Sequence, residues 1–271
     1  MNHTLCRVSV IQMNTGAPKE EHLSMAEQKI REAGSRGADF VVLPEMFQSP
    51  YETSQFPVYA EAADGESARR LSKAAKEAQV YLIGGSIPEC EGDRIYNTSL
   101  VFGRDGSLLA KHRKVHLFDI DVKGGQYFKE SETLSPGNEA TVFQTEFGPV
   151  GVCICYDIRF PELFRLMADR GANLVFCPAA FNRTTGPKHW ELLFRSRALD
   201  NQLFLVGAAP AADETASYIS YGHSIVVSPW GEVLAQAGEE PCVLEKTLDL
   251  SQIKEVREQI PVLKHLRKDL Y

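Results

Sequence analysis

Apolar and polar positions along this chain follow two periods in turn, one of two residues and one near helical spacing. Val8-Ser9-Val10-Ile11-Gln12-Met13 alternates and predicts a first strand over 8–13. Leu23, Ala26, Ile30 and Ala33 recur on one helical face, with Gly34 or Gly37 closing that helix. Phe40-Val41-Val42-Leu43 is a short unbroken apolar run, the pattern of a strand covered on both faces, and it ends in Pro44-Glu45. Ala68, Leu71, Ala75 and Ala78 mark a second helix, and residues 80–87 a third strand. Strands over 96–102 and 107–110 are joined by Gly103-Arg104-Asp105-Gly106, a hairpin turn.

The same order then returns. Val150, Val152 and Ile154 lead a strand into Cys155, and a helix follows over 161–170. Leu174-Val175-Phe176-Cys177 is a second buried strand ending in Pro178, followed by a helix over 187–201 and a strand over 203–206. Residues 223–227 and 232–235 pair through Pro229-Trp230-Gly231. Two stretches echo each other directly. Arg36-Gly37-Ala38-Asp39-Phe40 through Leu43-Pro44-Glu45 matches Arg170-Gly171-Ala172-Asn173-Leu174 through Cys177-Pro178-Ala179, and Asp105-Gly106-Ser107-Leu108-Leu109-Ala110 matches Trp230-Gly231-Glu232-Val233-Leu234-Ala235. The pattern predicts an α/β fold of two β-α-β-α-β-β-β halves, their sheets face to face and their helices outside, a four-layer α-β-β-α sandwich. No Gly/Ser-rich linker separates the halves, so residues 1–271 are expected to form one domain.

Composition narrows the partners. A net charge of -7 on 271 residues lacks the basic field of a nucleic-acid binder. No apolar run reaches the about 20 residues of a membrane span. Met1-Asn2-His3-Thr4 opens without a signal-peptide core, which points to the cytoplasm. Six cysteines sit mostly within apolar runs and make no disulfide framework in a chain of this size. Cys153 and Cys155 form C-x-C rather than a C-x-x-C redox pair, and no second pair completes a zinc site.

The candidate chemistry gathers at strand ends. Cys155 stands at the carboxyl end of its strand, where open α/β sheets place ligands. Pro161 and Glu162 then suit a first helical turn, and the backbone N–H groups and helix end there favour a thiolate. A buried structural cysteine is the plain alternative. Where one half ends in Leu43-Pro44-Glu45, the other ends in Cys177-Pro178-Ala179, so a carboxylate occupies only one copy. Burial favours the neutral form of such an acid, as general acid/base work requires, although a structural hydrogen-bond network would also hold it. Lys111-His112-Arg113-Lys114 abuts Val115, Leu117, Phe118 and Ile120, so part of this basic run turns inward, where an ammonium stabilises a thiolate or an oxyanion. His116, Asp119 and Asp121 have no metal-ligand spacing. His189 would offer a Cys–His alternative, against a structural role beside Trp190.

Leu43-Pro44-Glu45, Arg113-Lys114-Val115-His116-Leu117-Phe118 and Cys155-Tyr156-Asp157-Ile158-Arg159-Phe160-Pro161-Glu162 resemble, in order and separation, the three signature regions of the nitrilase superfamily of carbon–nitrogen hydrolases. The likeness is greatest to the omega-amidase branch, through Ser49-Pro50-Tyr51, Ile83 to Glu89, Tyr96-Asn97-Thr98, Phe118 to Asp121, Leu134-Ser135-Pro136-Gly137, Phe181-Asn182 through Leu193, and the final Arg267-Lys268-Asp269-Leu270-Tyr271. The resemblance implies a catalytic triad of Glu45, Lys114 and Cys155, with Glu130 positioning the lysine and substrate. It also implies an α-β-β-α sandwich dimerised through helices. No cofactor or metal is implied. The activity implied is hydrolysis of the terminal amide of 2-oxoglutaramate or 2-oxosuccinamate through a Cys155 thioester, with the Tyr156 N–H in the oxyanion hole. Tyr51, Arg159, Arg183, Thr184 and Thr185 are the expected substrate contacts, with Lys188 and Arg195 as further cations. Arg183 stands where close relatives are expected to carry an apolar residue, a departure that bears on substrate range. Other functions consistent with the pattern are a deaminated-glutathione or N-carbamoyl amine amidase, a nitrilase, a non-catalytic binding protein on the same fold, and a Cys153–Cys155 dithiol protein.

Overall fold

Each strand feeds two different cores because its successive side chains point to opposite faces. Val8, Val10, Phe40 and Val42 share one buried cluster with Val150, Val152, Leu174, Phe176, Phe204 and Val206. Ile11, Val41, Leu43 and Leu82 meet Leu23, Ala26, Ile30, Leu71 and Ala75 instead. A third cluster joins Val175, Cys177 and Leu205 to Leu163, Phe164, Met167, Trp190 and Phe194. Helix, sheet, sheet and helix therefore follow one another through the molecule. The structure, a computed structural model, describes residues 4–15, 18–124 and 126–270. The readings placed on residues 1–3 and 271 fall outside them.

The first half runs β1 (Leu5–Gln12), α1 (Lys19–Ser35), β2 (Phe40–Val42), α2 (Phe56–Tyr59), α3 (Glu66–Ala78), β3 (Tyr81–Ile83), β4 (Ile87–Glu91), β5 (Arg94–Phe102) and β6 (Leu108–Arg113). A small hairpin, β7 (Asp119–Asp121) and β8 (Tyr127–Lys129), precedes β9 (Thr141–Thr145). The second half runs β10 (Gly148–Val152), α4 (Pro161–Asp169), β11 (Leu174–Pro178), α5 (Gly186–Asn201), β12 (Phe204–Ala208), β13 (Ile225–Val227) and β14 (Val233–Gln236). The chain then forms β15 (Cys242–Asp249), α6 (Ser251–Gln259) and α7 (Val262–His265). Among the described residues, no helix is long and apolar enough to cross a membrane.

The duplication is visible in the pairing. β1, β2 and β3 are parallel neighbours, then β5 and β6 add antiparallel. β10, β11 and β12 are parallel neighbours, then β13 and β14 add antiparallel. β9 lies antiparallel on β10, and β15, from the far end of the chain, lies antiparallel on β1. β15 thus completes the first sheet where β9 completes the second.

Two expectations change. The third strand, expected over 80–87, splits into β3 and β4 at Gly84-Gly85-Ser86. Gly85 has φ +60, and a Cβ there would strike the Pro44 carbonyl, so the chain must break where it passes the end of β2. Gly34 does not close α1; it lies inside it, where a Cβ would stand 2.8 Å from that of Ala78 on α3, so glycine lets the two helices cross closely. The β7–β8 hairpin and β15 had no counterpart in the pattern reading. Five of the eight residues of β15 are only half buried, which blurs its alternation.

Candidate active site

The equivalent ends of β2 and β11 meet at one carboxylate. Glu45 lies in the tight turn after β2, where Met46 takes φ +49. Ser86 holds that turn, accepting from the Met46 N–H at 3.0 Å and donating its own N–H to the Pro44 carbonyl at 3.2 Å. Glu45 is fully buried. Its Oε2 accepts from the Ala180 N–H at 2.8 Å, beside the Ala179 that occupies the corresponding position in the second half. Its Oε1 accepts from Asn97 Nδ2 at 2.7 Å and Lys114 Nζ at 2.9 Å.

Lys114 follows β6 and is equally buried. Its N–H donates to the Asn97 carbonyl and its carbonyl accepts from Gly137, both at 2.8 Å. Its Nζ lies 2.9 Å from Glu45 Oε1 and 2.9 Å from each oxygen of Glu130. Glu130 is delivered by the β7–β8 hairpin and is locked by the Phe118 N–H, which donates to its Oε2 at 2.7 Å. The Tyr51 hydroxyl lies 2.9 Å from Glu130 Oε1 and 3.2 Å from Glu45 Oε1, so its single proton is shared between the two acids.

Glu45, Lys114 and Glu130 are all fully buried, and this sets the electrostatics. Burial would strip the proton from Lys114, but the facing Glu130 and Glu45 carboxylates outweigh it and raise its pKa well above the ordinary value. Burial raises the Glu130 carboxyl despite Lys114. Cys155 is 3% exposed and opens the 3-10 turn Cys155–Arg159 between β10 and α4. It holds φ +46, a strained conformation for a residue with a side chain, of the kind that clusters at active sites. Burial and then the charge of Glu45 push its thiol well up, against the pull of Lys114. The thiolate expected from helix-end and backbone N–H groups is therefore corrected. Loss of solvent opposes the thiolate, so attack by this sulfur calls for a base.

A model of the carbon-nitrogen hydrolase family matches residues 7–258. The omega-amidase NIT2 of Xenopus tropicalis is 56% identical over 265 residues, covering 98% of this chain and 96% of that protein. The chain belongs to the carbon–nitrogen hydrolase family. Human omega-amidase NIT2 is 53% identical over 268 residues, covering 99% of this carbon–nitrogen hydrolase and 97% of the human protein. The crystal structure of Saccharomyces cerevisiae Nit3, a member of branch 10 of the nitrilase superfamily, superposes with a TM-score of 0.90 at 42% identity over 97% of each chain.

Around this centre the hydrolase distributes its other expected site residues unevenly. The Tyr156 N–H lies in the first turn after Cys155, where amides have no intrahelical acceptor. Arg159 is half buried, its guanidinium 5.6 Å from the Tyr156 ring centre and 5.2 Å from that of Phe181. It donates to His189 Nδ1 at 3.3 Å, so His189 faces an arginine rather than a thiol. Burial, with the Arg159 charge beside it, lowers the His189 pKa. Among the described residues no carboxylate pairs with Arg159. Arg183 is different: its side chain is 41% exposed and is held by Glu214 and Glu239. Thr184 and Thr185 donate their N–H groups to Asn182 Oδ1 at 2.9 Å, which fixes the entry to α5. Thr185 is buried and Thr184 exposed. Lys188 is exposed, and Arg195 pairs with Glu191 on the surface. His116 turns to Asp157 and stacks on Phe160, while Asp119 accepts from Ser131.

Sequence reasoning assigned no role to Asn97, Tyr218 or the Ala180 amide. Tyr218 donates to the Ala180 carbonyl at 2.5 Å and packs its ring 4.6 Å from that of Tyr51. The two tyrosines also line a cavity of about 200 Å³ with Thr15, Glu52 and Asp213. Asn97 carried a signal: Asn97-Thr98-Ser99 places three polar residues in the buried middle of β5. Tyr218 sits in a polar loop and carried none.

Proposed function

We propose that this carbon–nitrogen hydrolase is an omega-amidase, cleaving the terminal amide of 2-oxoglutaramate or 2-oxosuccinamate to the 2-oxo acid and ammonia. The observation that carries this reading is the buried Glu45–Lys114–Glu130 network beside Cys155, in a chain alike to omega-amidases almost end to end. Glu45 takes the proton from Cys155, and the sulfur attacks the amide carbon. The Lys114 ammonium and the Tyr156 N–H hold the oxyanion. Glu45 returns the proton to the leaving nitrogen, ammonia departs, and a thioester remains on Cys155. Glu45 then takes a proton from water, whose oxygen attacks the thioester and releases the acid. Glu130 and Tyr51 keep Lys114 and Glu45 in register throughout.

Arg159 is the cation we assign to the substrate carboxylate; the Thr185 N–H and hydroxyl are both given to Asn182, which leaves the Thr184 hydroxyl as the donor expected there. A carboxylate on Arg183 would have to displace two glutamates. Leu192, 63% exposed, and Leu199 on α5 lie beside Trp230, 44% exposed, of the β13–β14 turn, a face suited to a second copy in a homodimer. Six free thiols suit a reducing, cytoplasmic setting.

The test is steady-state ammonia release from both oxo-acid amides, simple amides and nitriles, with wild type beside Cys155→Ala. Turnover of the oxo-acid amides, abolished in the variant, supports the reading. Activity confined to other amides keeps the triad and discards the substrate. Turnover in Cys155→Ala refutes the mechanism.

A further inference from the structure

Glu45 and Lys114 come from the first half and Cys155 from the second, so the reaction needs the halves held in register. One buried side chain binds both. Asp157, two residues beyond Cys155, is fully buried and accepts four hydrogen bonds. Its Oδ2 accepts from the Ile154 N–H at 3.0 Å and faces His112 Nε2 at 3.1 Å. Its Oδ1 accepts from the His116 N–H at 2.9 Å and faces His116 Nδ1 at 2.8 Å. His112 and His116 flank Lys114 at two residues on either side. Ile154 immediately precedes Cys155.

Each donor has a reason to be where it is. His112 is buried, and its Nδ1 lies 2.9 Å from Thr141 Oγ1, which leaves Nε2 to carry the proton toward Asp157 when that hydroxyl donates. His116 stacks on Phe160 with ring centres 3.6 Å apart and planes 8° apart, which fixes its ring. Burial alone would raise the Asp157 carboxyl, but the His112 and His116 hydrogen bonds hold it well below the ordinary range. All its acceptor capacity is spent on these donors, and none of them is a reacting atom.

We infer that Asp157 is a further positioning residue of this active site: a buried carboxylate that staples the Lys114 segment to the strained Cys155 turn. It sets the placement of the oxyanion-binding ammonium relative to the nucleophile and takes no part in proton transfer. Losing it moves those groups apart by fractions of an ångström while leaving substrate binding alone.

The inference rests on the Glu45–Lys114–Cys155 reading and is tested beside it. Asp157→Asn offers one acceptor oxygen where there were two, and its NH2 faces existing donors. It is expected to lower kcat on the order of 10²-fold, the effect of a small misplacement, with KM unchanged. His116→Phe keeps a ring against Phe160 but removes Nδ1, and is expected to lose about ten-fold in kcat, the worth of one charged hydrogen bond. His116→Asn returns an N–H donor near the Nδ1 position and is expected to recover most of that loss. Iodoacetamide alkylation of Cys155, followed by peptide mass, provides a readout independent of substrate and is expected to change in the same order. Equal kcat in His116→Phe and His116→Asn overturns the inference, as does a loss confined to KM or one that merely follows the folded fraction. Turnover surviving in Cys155→Ala overturns the triad reading and this one with it. Loss in Cys155→Ala with wild-type kcat in Asp157→Asn overturns the staple alone.

Discussion

Replacing Lys114 with methionine separates what the ammonium does for stability from what it does for catalysis. Its Nζ is the one cation among these three groups and faces two buried acids, Glu45 and Glu130, at 2.9 Å each. Methionine fills similar space and leaves two carboxyl groups facing each other without a cation. Removing one partner of a buried ion pair costs about 3–5 kcal/mol, because the charge left behind is desolvated and unpaired. The variant should remain folded, since domains hold roughly 5–15 kcal/mol. The sign of the pH dependence follows from Glu130, whose folded-state pKa burial already raises above the unfolded value. Such a group contributes stability below its unfolded pKa and loses it as pH rises through the folded one. Without Lys114 the folded-state pKa rises further. Lys114's own raised pKa makes the wild-type contribution constant until strongly alkaline pH. The stability gap between wild type and Lys114→Met should therefore be widest above the raised Glu130 pKa and narrow as pH falls through it and Glu130 takes up a proton. Urea unfolding at a series of pH values measures it. Activity should behave differently: loss of one oxyanion donor costs about 10²–10³-fold in kcat, and acid does not restore it. Adding Glu130→Gln to Lys114→Met should recover stability at neutral pH and leave kcat low. A gap that is flat, or that widens in acid, would refute the charge accounting.

Glu45→Gln should lower kcat by about 10²–10⁴-fold in the ammonia assay and slow Cys155 alkylation, because the thiol loses its base while burial, the larger cause of its raised pKa, remains after the Glu45 charge is gone. Tyr51→Phe keeps the ring packing on Phe56, Phe128 and Tyr218 and removes the shared proton, so urea unfolding should report a loss of about 1–3 kcal/mol from buried acceptors left underpaired. Arg159→Met should raise KM for an oxo-acid amide on the order of ten-fold or more and leave KM for a neutral amide unchanged, while Arg183→Ala, whose guanidinium is already paired, should change neither appreciably. Leu192→Glu should turn a homodimer into a monomer by light scattering, since it puts a charge into the apolar face.

How much of this was legible depends on whether information lay along the chain or across it. The four layers were legible because β2 and β11 are apolar without interruption, the pattern of strands covered on both faces; β1 alternates even though its polar Ser9 and Gln12 are buried, so there alternation marked a strand and not an exposed face. Glu45 was legible from pattern because the duplication supplied its own control, an alanine at the matching position. Lys114 was only one member of a basic run. What singles it out is that β6 ends at Arg113 and the next side chain turns inward to Glu45 and Glu130. Glu130 lay beyond pattern reading altogether, since it stands on a hairpin of two three-residue strands, and only family resemblance supplied it. Asp157 was quoted within a motif and given no task, because its partners come from positions 112, 116 and 154 and converge only in space. The misjudged thiol follows the same division. Helix ends and backbone amides can be read locally, and they argue for a thiolate. Burial by both halves and the charge of Glu45 are not local, and they win. The consequence is mechanistic: a thiol raised by burial depends on a base to act as a nucleophile, which is why replacing Glu45 should show in the alkylation of Cys155 as well as in turnover.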